Sequence, residues 1–151
     1  MAYGEGADPR NADLKAATVV YGPGKIMTMD GTNNRLDLSA ATEIGLGISV
    51  GDSSRDSAKV LETTGATVSY YPLGGVLMVQ ALNGETYTTG CTVYVGANGL
   101  ATVTAGSNKK LGLYVGEGIA ATAALGANGA GDTTNTEGEM VPVMTAGAAI
   151  A

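Results

Sequence analysis

Apolar residues along this chain fall in short, largely β-branched runs separated by Gly, Asn and Asp. That is the spacing of strands rather than the 3.6-residue period of a helix. The runs predict strands over residues 18–21, 25–29, 35–38, 44–50, 58–62, 67–71, 76–81, 92–95, 100–104, 110–116 and 140–144. Turn residues every eight to twelve positions, as a rough spacing, mark an all-β sandwich or small barrel. Asn98-Gly99, between 92–95 and 100–104, reads as a tight hairpin turn, because Asn tolerates positive φ and Gly adopts it freely. Asn83-Gly84 turns the chain after 76–81, and Asp30-Gly31 opens a loop after Met29. The nearest thing to a helix is 119–131, where Ala favours helix but three Gly oppose it, so a loop is expected.

The pattern divides the chain into an N-terminal arm, 1–17, and one β domain, 18–151, with a Gly/Ala-rich loop insertion at 119–137. The arm is small and polar without apolar periodicity, and is expected to be mobile unless docked. Within the domain there is an internal echo. At one constant offset Ile26 aligns with Val93, Leu36 with Val103, Leu38 with Ala105, and Ile44-Gly45-Leu46 with Leu111-Gly112-Leu113. This suggests two similar β units in one barrel, with Gly inside strands marking a bulge or close backbone approach.

Composition thins the expected core. Leu, Ile and Val make up 30 of 151 residues, and Ala supplies much of the remaining apolar content. Such a core is expected to gain stability by association. The chain has eight basic against fourteen acidic residues, a net charge of −6, which disfavours sequence-independent nucleic-acid binding. No apolar run approaches the roughly 18 residues of a membrane-spanning helix. The start MAYGEGADPR carries no export-type leader pattern, so synthesis in a cytoplasm is expected.

Candidate chemistry is sparse. There is no His, and Cys91 is the sole Cys, which excludes an intrachain disulfide and leaves that thiol without an imidazole partner. Ser57 and Lys59 would share one face of a strand without forming a catalytic pair. The glycines of 45–51 lie inside an apolar run rather than between a strand and a helix, so a dinucleotide loop is not expected. Two oxygen-rich loops, 30–34 and 132–137, lack EF-hand spacing; a solvated turn is the favoured reading and calcium the alternative. No catalytic residue, cofactor or metal is assigned. The most contact-like segment is Tyr70-Tyr71-Pro72-Leu73-Gly74-Gly75, whose adjacent Tyr side chains point to opposite faces of a strand, one to a core and the other either to the rim of that core or to a partner.

Several phrases, in order, carry a resemblance: GKI at 24–26, ATEIGLGI at 41–48, VSYYPLGGVLMV at 68–79, GCTVYV at 90–95, GLATVT at 99–104, LGLYV at 111–115 and GEMVPVM at 138–144. Over roughly 18–145 the chain resembles capsid decoration (cement, or head-stabilising) proteins of tailed bacteriophages. The resemblance implies a small β-barrel or β-tulip on the outer capsid surface, bridging neighbouring major capsid proteins, with no enzymatic activity. It also implies a homo-oligomer, a trimer being favoured over a dimer, and neither nucleic acid nor membrane as partner. On this reading Tyr3, Pro9 and Arg10 of the arm, with Tyr70, Tyr71, Pro72 and Leu73, touch capsid or sister subunits, and 119–137 stays peripheral. The alternatives are another virion protein of tail or head completion, or a small β-sandwich binding module. A carbohydrate-binding version of the latter is disfavoured by the absence of Trp.

Overall fold

The computed structural model describes residues 8–123 and 137–145, and they form an all-β protein. Its strands are β1 (Arg10–Asp13), β2 (Ile26–Asp30), β3 (Arg35–Leu38), β4 (Gly47–Ser49), β5 (Thr67–Pro72), β6 (Gly75–Leu82), β7 (Thr86–Thr88), β8 (Thr92–Val95), β9 (Ala101–Thr102), β10 (Lys110–Tyr114), β11 (Ile119–Ala121) and β12 (Glu137–Thr145). The first five make one sheet, in the order β1-β5-β4-β2-β3. Strands β10-β12-β6-β9-β8 close into a barrel, and β7 and β11 pair as a separate two-stranded ribbon.

The first sheet also curls round on itself. A parallel bridge joins Leu14, just past β1, to Leu36 on β3, and the Lys15 N–H donates to the Leu36 carbonyl at 2.8 Å. Its two edges are thereby drawn together. With that bridge the two units have the same topology: β1, β2, β3, β4 and β5 correspond in order to β6, β8, β9, β10 and β12. In each, the first strand pairs antiparallel with the fifth, the fifth with the fourth, the fourth with the second and the second with the third. The third meets the first in parallel, through Leu14–Leu36 in one unit and Ala81–Ala101 in the other.

The registers agree as well. Ala12 opposite Val68 matches Val79 opposite Val141, and Met29 opposite Leu36 matches Val95 opposite Ala101. Met27–Gly47–Pro72 forms a row matching Val93–Gly112–Thr145. The internal echo in the sequence is thus a repeat of topology, but the repeats form two units rather than halves of one barrel. The alignment also shifts from strand to strand, because intervening loops differ in length: Met27, not Ile26, is the counterpart of Val93.

Each unit has its own apolar core. Leu14, Val20, Met27, Leu36, Ala66 and Val68 fill the first. The larger second core holds Leu77, Val79, Ala81, Tyr87, Val93, Val95, Ala101, Leu111, Tyr114, Val141 and Val143. Ile26 and Ile48, on the outward face of the first unit, are buried in that second core, and Tyr71 packs against it. One side of the first unit therefore seals the second. Backbone bonds stitch the same seam: Gln80 N–H to the Gly24 carbonyl at 2.8 Å and Gly99 N–H to the Ser39 carbonyl at 3.0 Å.

Several expected elements take a different form. The expected arm stops short of residue 17: Arg10–Asp13 form a strand along β5, and Leu14 is buried. Residues 1–7 lie outside the described residues. The run 18–21 is not a strand, because the Val20 N–H is taken by the Ser53 hydroxyl at 3.1 Å rather than by a neighbouring strand. The run 58–62 is a loop with one bridge, Arg55–Leu61; Lys59 sits at φ +68° and the Asp56 carboxylate accepts from the Ala58 and Val60 amides. The strand expected over 44–50 is confined to Gly47–Ser49. The expected insertion 119–137 begins with strand β11, which pairs with β7, and ends on the buried Glu137 of β12, so both its ends are strand rather than loop; 124–136 lie outside the described residues. The Asn98-Gly99 turn forms as expected, with φ of +57° and +72° between the antiparallel β8 and β9.

Candidate interaction surface

The β1–β5 register places Arg10 directly opposite Tyr70, and Pro9 lies exposed beside them, so these expected contact residues converge on one edge. Tyr3 lies outside the described residues. Tyr70 and Tyr71 divide as strand alternation requires. Tyr70 packs on the first core and Tyr71 on the second, and both rings are half-buried. Leu73 also packs on the second core, and Pro72 is half-buried at the end of β5. The partner that Tyr71 meets within the chain is thus the second unit. At this junction lies a cleft of about 350 Å³ lined by Pro23, Ile48, Tyr71, Leu77, Met78 and Met140 among others.

Beneath the seam is a buried ion pair that sequence reasoning missed. Lys25 Nζ lies 2.7 Å from the Glu137 carboxylate, both side chains being about 5% exposed. The same ammonium donates to the Tyr21 carbonyl at 2.9 Å and to Gln80 Oε1 at 3.4 Å. Gln80 Nε2 in turn donates to the Gly138 carbonyl at 2.5 Å. Lys25 belongs to the first unit, and Gln80 and Glu137 to the second, so this network joins the units. The sequence signal was a lone Lys at the head of the apolar run 25–29, a charge with no solvent-facing pattern around it. Its chemistry is structural: a charge withdrawn from water is held by a paired carboxylate and additional acceptors.

The other chemical candidates are placed plainly. Cys91 is half-buried against the second core. Ser57 and Lys59 lie on the exposed 55–61 loop, not on a common strand face. Asp30 accepts from the Thr32 N–H and from Asn33 Nδ2, the bonds of a self-contained turn. Among the described residues no three His, Cys, Asp or Glu side chains come together as a metal-binding group. Asp52 accepts from Arg55 at 2.7 Å and from the Gly22 N–H at 2.6 Å. Partial burial raises its pKa, but these donors and the nearby Lys25 charge outweigh it and hold the carboxyl below its ordinary value.

Among the described residues the exposed large apolar side chains are Leu113, Met144, Met29, Ile44, Val50, Val115 and Val60, the last on the 55–61 loop. Leu113 and Met144 stand opposite one another on β10 and β12, each nearly half exposed. Met29 and Ile44 are exposed in the first unit, where the Thr28 hydroxyl on the Ile44 carbonyl holds the two segments together. Neither pair stood out from the sequence, since each reads as one more apolar position in a strand pattern. A scan against protein-family models finds no match for this chain, and a search of curated proteins finds none either.

Proposed function

We propose that this protein is a structural component of a tailed-phage virion that binds the outer capsid surface and stabilises it by bridging neighbouring major capsid proteins. The observation that carries the reading is where the resembling phrases fall. GKI leads into β2, ATEIGLGI into β4, and VSYYPLGGVLMV covers β5 and β6; GCTVYV, GLATVT, LGLYV and GEMVPVM run onto β8, β9, β10 and β12. The resemblance therefore follows the framework of both units rather than scattered loops. A double β unit with a small core and exposed apolar side chains suits a protein that works by being laid against others. On this reading it acts on the virion's exterior after synthesis in the host cytoplasm. The Pro9, Arg10 and Tyr70 edge, extended by the segment that contains Tyr3, is the capsid-facing candidate, with the Tyr71–Leu73 segment beside it.

Quantitative mass spectrometry of density-banded particles from the source tests the reading. A copy number near that of the major capsid protein, or a simple fraction of it set by lattice positions, is expected. A few copies per particle would instead indicate a tail or head-completion protein, and absence from particles would overturn a virion role. A second check is rebinding of purified protein to capsids stripped of it. Removing residues 2–8 should weaken that binding while leaving β1 intact.

A further inference from the structure

The polar network in the seam brings together three side chains of different chemistry: the primary amine of Lys25, the carboxamide of Gln80 and the carboxylate of Glu137. Each of these residues is at most 4% exposed. Lys25 Nζ stands 2.7 Å from the carboxylate and 3.4 Å from the carboxamide oxygen, which is one bond from the carbon Cδ. The carboxamide is held from its other end, where Nε2 donates to the Gly138 carbonyl. Main-chain bonds fix both sides of the approach. The Lys25 N–H donates to the Ser49 hydroxyl at 2.9 Å, and the Gln80 N–H donates to the Gly24 carbonyl at 2.8 Å. Gly24 permits this closeness, because a Cβ there would lie 2.5 Å from Met140 Sδ and 2.9 Å from the Gln80 nitrogen.

We infer that Lys25 and Gln80 join through an intramolecular isopeptide bond, Nζ to Cδ, with Glu137 moving the protons. A proton first passes along the 2.7 Å contact from Nζ to the carboxylate. That leaves a neutral amine and a neutral acid, and removes two charges from a site withdrawn from water. The amine lone pair then forms a bond to Cδ, and the carbonyl electron pair moves onto Oε1. Glu137 gives its proton to Nε2 and accepts one from the attacking nitrogen, acting as general acid and then base. The electron pair on Oε1 re-forms the carbonyl as the Cδ–Nε2 bond breaks and ammonia departs. The products are a secondary amide, ammonia and a neutral Glu137 carboxyl, and no oxidant, reductant or other co-reactant is consumed. The cleft at the junction is lined in part by Gly24, next to Lys25, and by Met140, opposite Gln80 in the β6–β12 register, and gives ammonia a short way out.

Lys25 belongs to the first unit and Gln80 to the second, so the bond joins the two units covalently. Until it forms, the ion pair holds their polar seam. Exclusion of water from the site protects intermediate and product from hydrolysis. The inference goes beyond the capsid reading and does not rest on it, since it stands whether or not the protein ever meets a capsid.

Mass analysis of the purified full chain, incubated at neutral pH, is the test. The intact chain is expected to be lighter than its sequence by one ammonia. Trypsin should fail to cut after Lys25, and tandem mass spectrometry should recover residues 16–35 joined to 60–109 through Lys25 and Gln80. That joined pair decides the matter, because cyclisation at an Asn-Gly step also releases ammonia but joins nothing. Gln80→Met, of similar size and without a carboxamide, should keep the full mass and the cut after Lys25. Glu137→Gln should slow the joining by on the order of a hundredfold or more, with far-UV circular dichroism checking that it folds. A wild-type chain that keeps its full mass and yields separate peptides overturns the inference, whatever the variants do. A chain lighter by one water, with Lys25 joined to Glu137, overturns the assignment to Gln80. Undiminished joining in a folded Glu137→Gln chain overturns the proton-transfer role.

Discussion

At the residue scale the most exacting positions are Gly47 and Gly112, equivalent members of the two units. A Cβ on Gly47 would lie 2.5 Å from the Tyr70 ring and 2.7 Å from the Tyr71 carbonyl; one on Gly112 would collide with the Met144 carbonyl. In both cases the obstacle includes backbone of the adjoining strand, which cannot swing aside. Gly112→Ala should therefore cost at least the ~1–3 kcal/mol typical of overpacking. Gly51→Ala, with nothing within 4 Å, should change stability little, and chemical denaturation of the two variants makes the comparison. Tyr87 offers a change of opposite sign. It is fully buried against Tyr114, with ring centroids 5.4 Å apart, and its hydroxyl has no hydrogen-bond partner among the described residues. Burial pushes its pKa well above the ordinary value, and the Glu85 charge adds to the shift. The neutral phenol is thus favoured by folding. Its contribution is intact below about pH 10, the ordinary value for Tyr, and is lost as pH rises towards the folded pKa. Tyr87→Phe should leave stability unchanged or raise it by ~1 kcal/mol at neutral pH, and should flatten the loss of stability above about pH 10. Thermal melts across that range read both effects.

At the scale of elements, what was legible from sequence was whatever a strand announces by itself. Alternation predicted β8, where Val93 and Val95 point inward and Thr92 and Tyr94 are half-buried, and turn chemistry predicted Asn98-Gly99. Elements defined by their partners were not legible. Strand β1 reads RNAD and has no apolar alternation; it is a strand because β5 offers it an edge and because Leu14 beyond it enters the first core. The run 58–62 failed for the converse reason: it looks apolar enough, but Asp56 takes amides that a ladder would need, and Val60 is left exposed. Of the contact candidates, the convergence of Arg10 with Tyr70 could not be foreseen, since register is a tertiary property. Strand β1 also sets a limit on truncation. Removing residues 2–14 should take away the strand that closes the first unit and strip hydrogen-exchange protection from β5, whereas removal confined to residues 2–8 should leave that protection in place.

At the scale of the whole molecule, two similar units become one body through a seam that is apolar at Ile26 and Ile48 and ionic at Lys25–Glu137. The two parts of the seam do different work. The apolar part supplies attraction, since each unit alone would expose what the other covers. The ion pair gains less than its proximity implies, because both charges lose their hydration; what it imposes is register, since a slipped seam would leave a buried charge unmatched. Lys25→Met should accordingly cost ~3–5 kcal/mol by removing the cation that faces the buried Glu137 carboxylate, and the double change Lys25→Met/Glu137→Leu should recover most of that loss. Ile48→Ala should cost ~2–5 kcal/mol, the range for buried aliphatic truncation, although Ile48 belongs in sequence to the first unit and in packing to the second. Native-state hydrogen exchange decides whether the seam makes the units cooperative. With Ile48→Ala, the slowest amides of β3 and of β9 should lose protection by the same free energy. Loss confined to one unit would mean that the repeats fold as separate bodies, and that the contact between them is only an intramolecular docking.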